Sequence, residues 1–264
     1  MSASLSSLLA SASKERGPPE TWQLPSHGLV SSSLAQSKGA WDVRSSPPIK
    51  EAFGKIWSST NLIVSMDCII LWRSWADDAA LKPETEGMHL DQNPFSKPDL
   101  ACVQGMVPLL AVTPEIGGLQ VVPGSHEGPR KDAFKAAHPR MEGGGDWCPA
   151  SEEYARAVEG DATLLCCEAG DLILWDSRTV HGGKVGSGGA GGTGGLARAA
   201  VTVSMVPREW ASEEVLKERR EGFRVGATFN HSPHEAGSST GTVKSALSSA
   251  YVPVELSADQ ISLL

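Results

Sequence analysis

Short apolar segments separated by turn residues dominate the middle of the chain and limit its fold more than any other feature. They are rich in β-branched residues, and glycine, proline or polar turns bound them. The segments are NLIVSMDCIILW, LACVQGMVPLLAV, GGLQVVPGSH, TLLCCEAGDLILWDSRTVH and RAAVTVSMVP. Runs of this kind are typical of strands, and the fourth reads as two strands joined at Gly170–Asp171. Several strands in succession predict a mainly β domain, either a barrel or a jelly roll.

Helical patterns flank these strands. In PPIKEAFGKIWSS two prolines open a helix, and Ile49 and Phe53 recur at helical spacing. EWASEEVLKERREGFR reads as an amphipathic charged helix. Shorter helices are expected around Lys131–Ala137 and Ser151–Val158, with Ser151 as an N-cap. The helices therefore wrap a β core.

Composition and charge narrow the classes of partner. The net charge of −8 and the lack of a basic stripe disfavour nucleic acid and anionic membranes. No apolar run reaches membrane-spanning length. The five cysteines lack a C-x-x-C pair, which predicts buried reduced thiols, not disulfides or a zinc ribbon. We expect a small-molecule partner and a monomer or weak oligomer.

The N-terminal segment MSASLSSLLASASKER is rich in serine and alanine but has few basic residues. It is interpreted as a disordered tail, and import into an organelle through a weak targeting signal is the alternative. A cytoplasmic location is the expectation.

The chemistry of the chain depends on the stretch HLDQNP. In a strand, residues i and i+2 point to the same face, so His89 and Asp91 direct an imidazole and a carboxylate into one space. These are two of the three ligands of a 2-His-1-carboxylate iron site, which leaves positions open for substrate and O₂. Alone, the pair is equally consistent with a polar turn at a strand end.

A second histidine must come from a distant strand, and His181 is the best placed. It ends DLILWDSRTVH, where alternation puts it on one face with Trp175. His126, in the turn VPGSH, is the second choice. His231 and His234 lie beyond the last strand and are interpreted as loop or packing residues.

An oxygenase that uses 2-oxoglutarate also needs a cation for the far carboxylate of that cosubstrate. Arginine suits this role because its planar fork binds a carboxylate through two hydrogen bonds. Arg198 begins the strand that follows His181 in sequence, and Arg208 at the end of that strand is the poorer choice. By itself Arg198 would read as a surface residue beside a loop; with the His-Asp-His set it favours the cosubstrate role.

Three other patterns carry less weight. GSGGAG, with Gly186, Gly188 and Gly191, matches a dinucleotide-binding fingerprint, but a strand follows it where a helix is needed. No G-x-S-x-G elbow is present, which disfavours a Ser-His-Asp hydrolase. Asp176 and Arg178 share the strand face opposite His181, where we expect a structural ion pair.

Taken together, HLDQNP, VQGMVPLL, GGLQVVPGSH, GDLILWDSRTVHGG, Arg198 and VSMVPREW resemble the phytanoyl-CoA dioxygenase family of 2-oxoglutarate/Fe(II) oxygenases. The resemblance covers roughly residues 20–235. It implies a double-stranded β-helix, a cupin-like jelly roll, with helices outside. Residues 1–19 would then form a flexible tail and residues 236–264 a C-terminal extension.

The resemblance also implies a site. His89, Asp91 and His181 match the iron ligands, Arg198 matches the cosubstrate arginine, and Gln104 matches a residue that faces cosubstrate or pocket. The implied cofactors are Fe(II), 2-oxoglutarate and O₂, with ascorbate as a candidate reductant. The implied reaction is hydroxylation of a C–H bond in a small or lipophilic organic substrate, with succinate and CO₂ as co-products.

The chain departs from the family pattern at Gly183 and Ala200, where related enzymes carry a hydroxyl near the cosubstrate. The glycine-rich insertion before Arg198 is a further departure. Because of these departures, a second interpretation stays open: a catalytically inactive metal- or ligand-binding protein on the same barrel. A metal-dependent hydrolase is a third alternative. Asp91 is retained, so the chain lacks the small residue that opens a halide site in related halogenases. The substrate is not readable, and no basic cluster is evident for the phosphates of coenzyme A.

Overall fold

Two antiparallel sheets form the centre of the computed structural model, which describes residues 25–31, 33–189, 195–235 and 251–264. The strands are β1 (Leu29–Val30), β2 (Leu62–Val64), β3 (Ile69–Arg73), β4 (His89–Leu90), β5 (Val103–Pro108), β6 (Gly117–Val121), β7 (Cys148–Pro149), β8 (Thr163–Leu164), β9 (Ile173–Asp176), β10 (His181–Val185) and β11 (Leu196–Pro207). The helices are α1 (Lys38–Arg44), α2 (Pro47–Trp57), α3 (Gly128–Ala137), α4 (Glu152–Val158), α5 (Glu213–Val225) and α6 (Ala258–Ser262).

The strand order confirms the predicted jelly roll. One sheet runs β1-β3-β11-β5-β9, with β2 also paired to β11, and the other runs β7-β4-β10-β6-β8. Both sheets take strands from early and late parts of the chain, and all the pairings are antiparallel. Such a sandwich presents two inner faces that enclose a ligand space between them.

Helices cover the outer face of the six-stranded sheet, as the sequence predicts. Phe53 of α2 and Phe223 of α5 are buried against this face with residues of β3 and β11. Ser212 caps α5 by accepting a hydrogen bond from the backbone N–H of Val215. The described end of the chain belongs to the same core, because Leu263 and Leu264 pack within it.

The outer face of the five-stranded sheet has a smaller core of its own. Phe134 of α3 and Tyr154 of α4 pack there against Leu90 and Val122. Ser151 accepts a hydrogen bond from the backbone N–H of Tyr154 and so is the N-cap that the sequence predicts. Both sheets are thus covered by helices on the side that faces away from their partner.

Successive side chains of β11 point alternately to the outer core and to the space between the sheets. Val201 and Val203 belong to the outer core, whereas Arg198 and Thr202 line a cavity between the sheets. The two faces of this strand are both buried, which explains its nearly continuous apolar sequence.

The prediction of one strand in NLIVSMDCIILW is wrong. The segment forms β2 and β3, which pair with two different parts of β11, and residues 65–68 between them lie outside both strands. Asp67 accounts for the break, since its carboxylate accepts a hydrogen bond from the backbone N–H of Cys68 at 2.6 Å. A carboxylate that binds its own backbone competes with the sheet ladder.

The strand predicted in DLILWDSRTVH is also interrupted. It ends at Asp176, and His181 begins β10 in the opposite sheet. The turn between them holds the predicted Asp176–Arg178 ion pair, at 2.6 Å. The backbone N–H of Thr179 closes the turn on the carbonyl of Asp176 at 2.8 Å. This turn carries the chain from one sheet to the other.

Other expectations have direct outcomes. All five cysteines are free thiols. A strand, β11, follows the glycine-rich loop, as predicted, although Gly191 and residues 1–19 lie outside the described residues. Among the described residues, no helix has the length and apolar character needed to cross a membrane.

Candidate functional site

The pairing of β10 with β4 brings two histidines together. His181 and His89 are direct partners across this antiparallel pair, and their ring centroids lie 4.5 Å apart. Directly opposed residues of an antiparallel pair have neighbouring side chains on one face. The strand register therefore joins histidines that lie far apart in the sequence.

Asp91 completes the group just after β4. One carboxylate oxygen lies 3.2 Å from Nε2 of His181, and the other lies 3.7 Å from Nε2 of His89. The three potential ligand atoms all lie within 4.8 Å of one another. His89 and His181 are buried and Asp91 is half-buried, so the group sits inside the protein and not on its surface.

Backbone carbonyls orient both imidazole rings. Nδ1 of His89 donates to the carbonyl of Gly87 at 2.9 Å, and Nδ1 of His181 donates to that of Thr179 at 2.8 Å. With the hydrogen on Nδ1, the Nε2 lone pairs face the Asp91 carboxylate. The two Nε2 lone pairs and the carboxylate are then three hydrogen-bond acceptors that face one another. Their mutual repulsion is relieved by a cation between them, which is either a proton on one imidazole or a metal ion.

The pKa directions follow from this crowding. Burial opposes the ionised Asp91 carboxyl, but His231, His89 and His181 outweigh it and hold its pKa well below the usual range. Burial and the nearby His181 lower the pKa of His89. Burial also acts to lower the pKa of His181, but its hydrogen bond with Asp91 prevails and raises that pKa. Asp91 is thus a permanent anion between two imidazoles, a donor set suited to a divalent metal.

Two further side chains hold Asp91 in place. Gln104, on the inner face of β5, donates from Nε2 to a carboxylate oxygen of Asp91 at 2.9 Å. Nε2 of His231 lies 3.0 Å from the backbone carbonyl oxygen of Asp91. Partners of this kind orient a ligand carboxylate. His231 lies in a loop, as predicted, but its place beside Asp91 was missed because no local pattern links it to HLDQNP.

Arg198 lies in the same space and has no anionic partner among the described residues. It is 4% exposed, and its guanidinium lies over the Trp72 ring, 4.4 Å from the ring centroid. Its Nη2 donates a hydrogen bond to the sulfur of Met106 at 3.3 Å. Its Nε is buried without a partner. Burial lowers the pKa of Arg198 to about 10. A buried, unpaired guanidinium is costly for a protein and is a common mark of an anion site.

A cavity of about 710 Å³ between the two sheets contains all of these residues. Its wall includes Asp91, His89, His181, Gln104 and Arg198. This volume lies within the usual range of small-molecule sites. The cavity is also lined by residues that the sequence did not assign to the site: Asp67, Glu84, Glu86, Trp72, Asp146, Trp147 and His231.

The alternative site residues lie elsewhere. Neither His126 nor Arg208 is part of the cavity wall. His126 approaches Glu127 at 3.8 Å, and Arg208 donates to the backbone carbonyl of Ser262 at 3.1 Å. The ring of His234 packs on Trp210, which agrees with the expected packing role.

A sequence profile of the phytanoyl-CoA dioxygenase (PhyH) family matches residues 4–188. The chain belongs to this family. The matched region contains His89, Asp91 and His181 and ends before Arg198. The resemblance noted in the sequence is therefore confirmed at the level of the family.

One relative and one solved structure add detail. The Ava biosynthesis cluster protein O of Aspergillus versicolor is 30% identical over 213 residues, which are 76% of this chain and 65% of the relative. The chain thus spans less than two thirds of that relative's length. The epimerase SnoN, solved with Fe³⁺, alpha ketoglutarate and nogalamycin RO, has a TM-score of 0.52 and 19% identity, covering 78% of this chain and 75% of that one. This likeness supports the cupin-like jelly roll as the fold of this family member.

The departure at Gly183 has a structural counterpart in this member of the family. A Cβ placed on Gly183 would lie 2.8 Å from the methyl carbon of Thr85, so Thr85 fills the space that a larger residue would need. Thr85 itself lines the cavity. Ala200 packs with Met106, Leu119 and Trp175, so that position is apolar.

Proposed function

We propose that the chain is an Fe(II)/2-oxoglutarate-dependent dioxygenase that hydroxylates a C–H bond of a small organic substrate. Succinate and CO₂ are the co-products. One observation carries the proposal: a buried His-Asp-His group and a buried, anion-free arginine line the same cavity. A metal site alone would not require the arginine, and an anion site alone would not require the three converging ligands.

The residues fit iron and its cosubstrate. His89, Asp91 and His181 would hold Fe(II) through two Nε2 atoms and a carboxylate oxygen, the donor set of a facial triad. Arg198 would bind the far carboxylate of 2-oxoglutarate through its guanidinium edge, since the Trp72 ring already covers one face. When bound, iron, 2-oxoglutarate and O₂ supply the oxidant that breaks the C–H bond.

The rest of the chemistry is positioning. The carbonyls of Gly87 and Thr179 keep both Nε2 lone pairs directed at the metal position. Gln104 fixes the rotation of the Asp91 carboxylate, so that its free oxygen faces the metal. We assign Gln104 to this role, whereas the family resemblance implies a side chain that faces the cosubstrate or the pocket. The surrounding apolar wall excludes water from the reacting atoms.

The test begins without oxygen. Fe(II) and 2-oxoglutarate, added anaerobically, are expected to give a weak visible charge-transfer band in the native protein. Succinate should form when air is admitted, with ascorbate tested as a reductant. Asp91→Ala should abolish the band and the succinate, whereas His126→Ala, a histidine outside the cavity, should leave both unchanged. Full turnover in Asp91→Ala would refute the proposal.

The same experiment separates the alternatives. An inactive binding protein would give the band but no succinate. A metal-dependent hydrolase would act on its substrate equally well without O₂. Once a substrate is known, incorporation of ¹⁸O from ¹⁸O₂ into the product distinguishes hydroxylation from an epimerisation of the kind named for SnoN.

A further inference from the structure

The cavity wall has an excess of negative charge. It contains five carboxylates but one arginine and no lysine among the described residues. The carboxylates are Asp67, Glu84, Glu86, Asp91 and Asp146. Low-dielectric walls lined by one sign of charge concentrate ligands of the opposite sign.

Binding of the cofactors does not remove this excess. The two positive charges of Fe(II) and the two negative charges of 2-oxoglutarate cancel. In the proposed function Asp91 and Arg198 are already occupied. Asp146 is paired with Lys97 at 2.6 Å. Within the described part of the chain, Asp67, Glu84 and Glu86 form no ion pair, although Arg44 acts on Asp67 at longer range. Burial raises the pKa of Asp67 and of Glu86, so a cation bound between them would stabilise their ionised forms.

Two of these carboxylates lie near the proposed metal. Glu86 is close enough to Asp67, Asp91 and His181 to interact with them electrostatically. Asp67 likewise interacts with Asp91 and His231. A group bound between Asp67 and Glu86 would therefore lie beside the reacting centre.

The cavity wall is also aromatic. Trp72, Trp147 and Trp175 all line the cavity. Trp147 is 53% exposed, and its ring lies 6.3 Å from that of His89, which places an indole face at the cavity mouth. The indole N–H of Trp175, a residue 9% exposed, has no hydrogen-bond partner. The indole rings give the cavity an apolar surface for the carbon skeleton of a ligand.

We propose that the substrate of this enzyme is a small organic amine, bound as the cation between Asp67 and Glu86 with its apolar part against the tryptophans. This rests on the proposed function. Carboxylates bind an ammonium group by charge-assisted hydrogen bonds, and an indole face attracts the same cation. Acyl-CoA thioesters are disfavoured, because their phosphates would meet carboxylates in a wall whose one described arginine is assigned to 2-oxoglutarate and which has no described lysine.

The test uses the full chain loaded with Zn(II) and 2-oxoglutarate, which is diamagnetic and does not turn over. Ligand-observed NMR compares matched fragments that share one aromatic skeleton and end in a primary amine, a hydroxyl or a carboxylate. The amines are expected to bind at least about tenfold more tightly than their hydroxyl partners, a difference of about 1.4 kcal/mol. The carboxylates should bind most weakly.

A matched pair of double variants assigns the effect. Asp67→Asn with Glu86→Gln should reduce the amine preference to less than about threefold. Asp132→Asn with Glu153→Gln removes the same charge from exposed helix positions outside the cavity and should keep the preference. Zn(II) and 2-oxoglutarate loading is measured in every protein by titration. Failure of native loading would count against the proposed function. If loading is intact, three results would overturn the substrate class. They are no binding of amines, no preference for amines over hydroxyl fragments, and a preference that persists in Asp67→Asn with Glu86→Gln.

Discussion

Arg198 offers a prediction in which stability and cosubstrate binding change in opposite directions. Burial lowers its pKa from the usual range of an arginine to about 10. Each pKa unit corresponds to about 1.4 kcal/mol, so keeping this charge in the folded protein costs about 3 kcal/mol. The stacking of the guanidinium on Trp72 stabilises the folded protein by about 2 kcal/mol. Arg198→Met, which keeps much of the side-chain volume, should therefore raise the free energy of unfolding by about 1 kcal/mol without ligands.

Addition of 2-oxoglutarate should reverse the order. At a ligand concentration of about 100 times Kd, binding stabilises the native protein by about 2.7 kcal/mol. The variant leaves the far carboxylate of 2-oxoglutarate without its cation, and we expect about a 100-fold loss of affinity for it, about 2.7 kcal/mol. Arg198→Met should then gain almost nothing from the same concentration.

Thermal unfolding with Zn(II), with and without 2-oxoglutarate, measures both effects. For a chain of this size, 1 kcal/mol corresponds to a shift in Tm of about 2 °C. Arg208→Met is the matched control, because this half-buried arginine lies outside the cavity and the variant should respond to 2-oxoglutarate like the native protein. A ligand-free Arg198→Met that is less stable than the native protein, or one with a native response to 2-oxoglutarate, would refute the reasoning.

Three further substitutions test the support of the site and of the core. Gln104→Leu removes the 2.9 Å hydrogen bond to Asp91 and should weaken Zn(II) binding about 10–100-fold in a competition titration; native affinity would argue against the positioning role. Gly182→Ala would put a Cβ 2.3 Å from a backbone carbonyl oxygen and should lower the free energy of unfolding by about 1–3 kcal/mol in urea. Gly143→Ala, in open space, is its control, and equal losses in the two would contradict the steric argument. Arg219→Met should lower the free energy of unfolding by at least about 2 kcal/mol, because backbone carbonyls lose their donors; a gain would show that desolvation prevails there too.

Arg198 and Arg219 show why burial alone does not indicate function. Both are nearly inaccessible, and burial lowers the pKa of each. The guanidinium of Arg219 donates hydrogen bonds to the backbone carbonyls of Val64, Pro233, Leu263 and Leu264. Arg198 has a thioether and a ring but no oxygen acceptor. The first is a structural cation that ties the described end of the chain to the core, and the second is available to a ligand.

Much of the fold was predictable because its signals are local. The prolines that open α2, Ser151 before α4 and the buried run of β11 each act within a few residues, and the structure has all three elements where the sequence places them. The breaks in two predicted strands were not predicted. They depend on Asp67 binding its own backbone and on the Asp176–Arg178 turn, and both compete with an apolar pattern that looks continuous.

The sequence by itself indicated a mainly β fold and, through the family resemblance, the jelly roll and the candidate ligands, because strand patterns and the HLDQNP motif are local signals. Only the tertiary structure decided that His181 is the direct partner of His89, because pairing between distant strands has no local signal. It also decided that Arg198 lacks an anion and that Asp67 and Glu86 face the same cavity. The charges of these side chains indicate a substrate class only because folding places them together in one cavity of low dielectric constant.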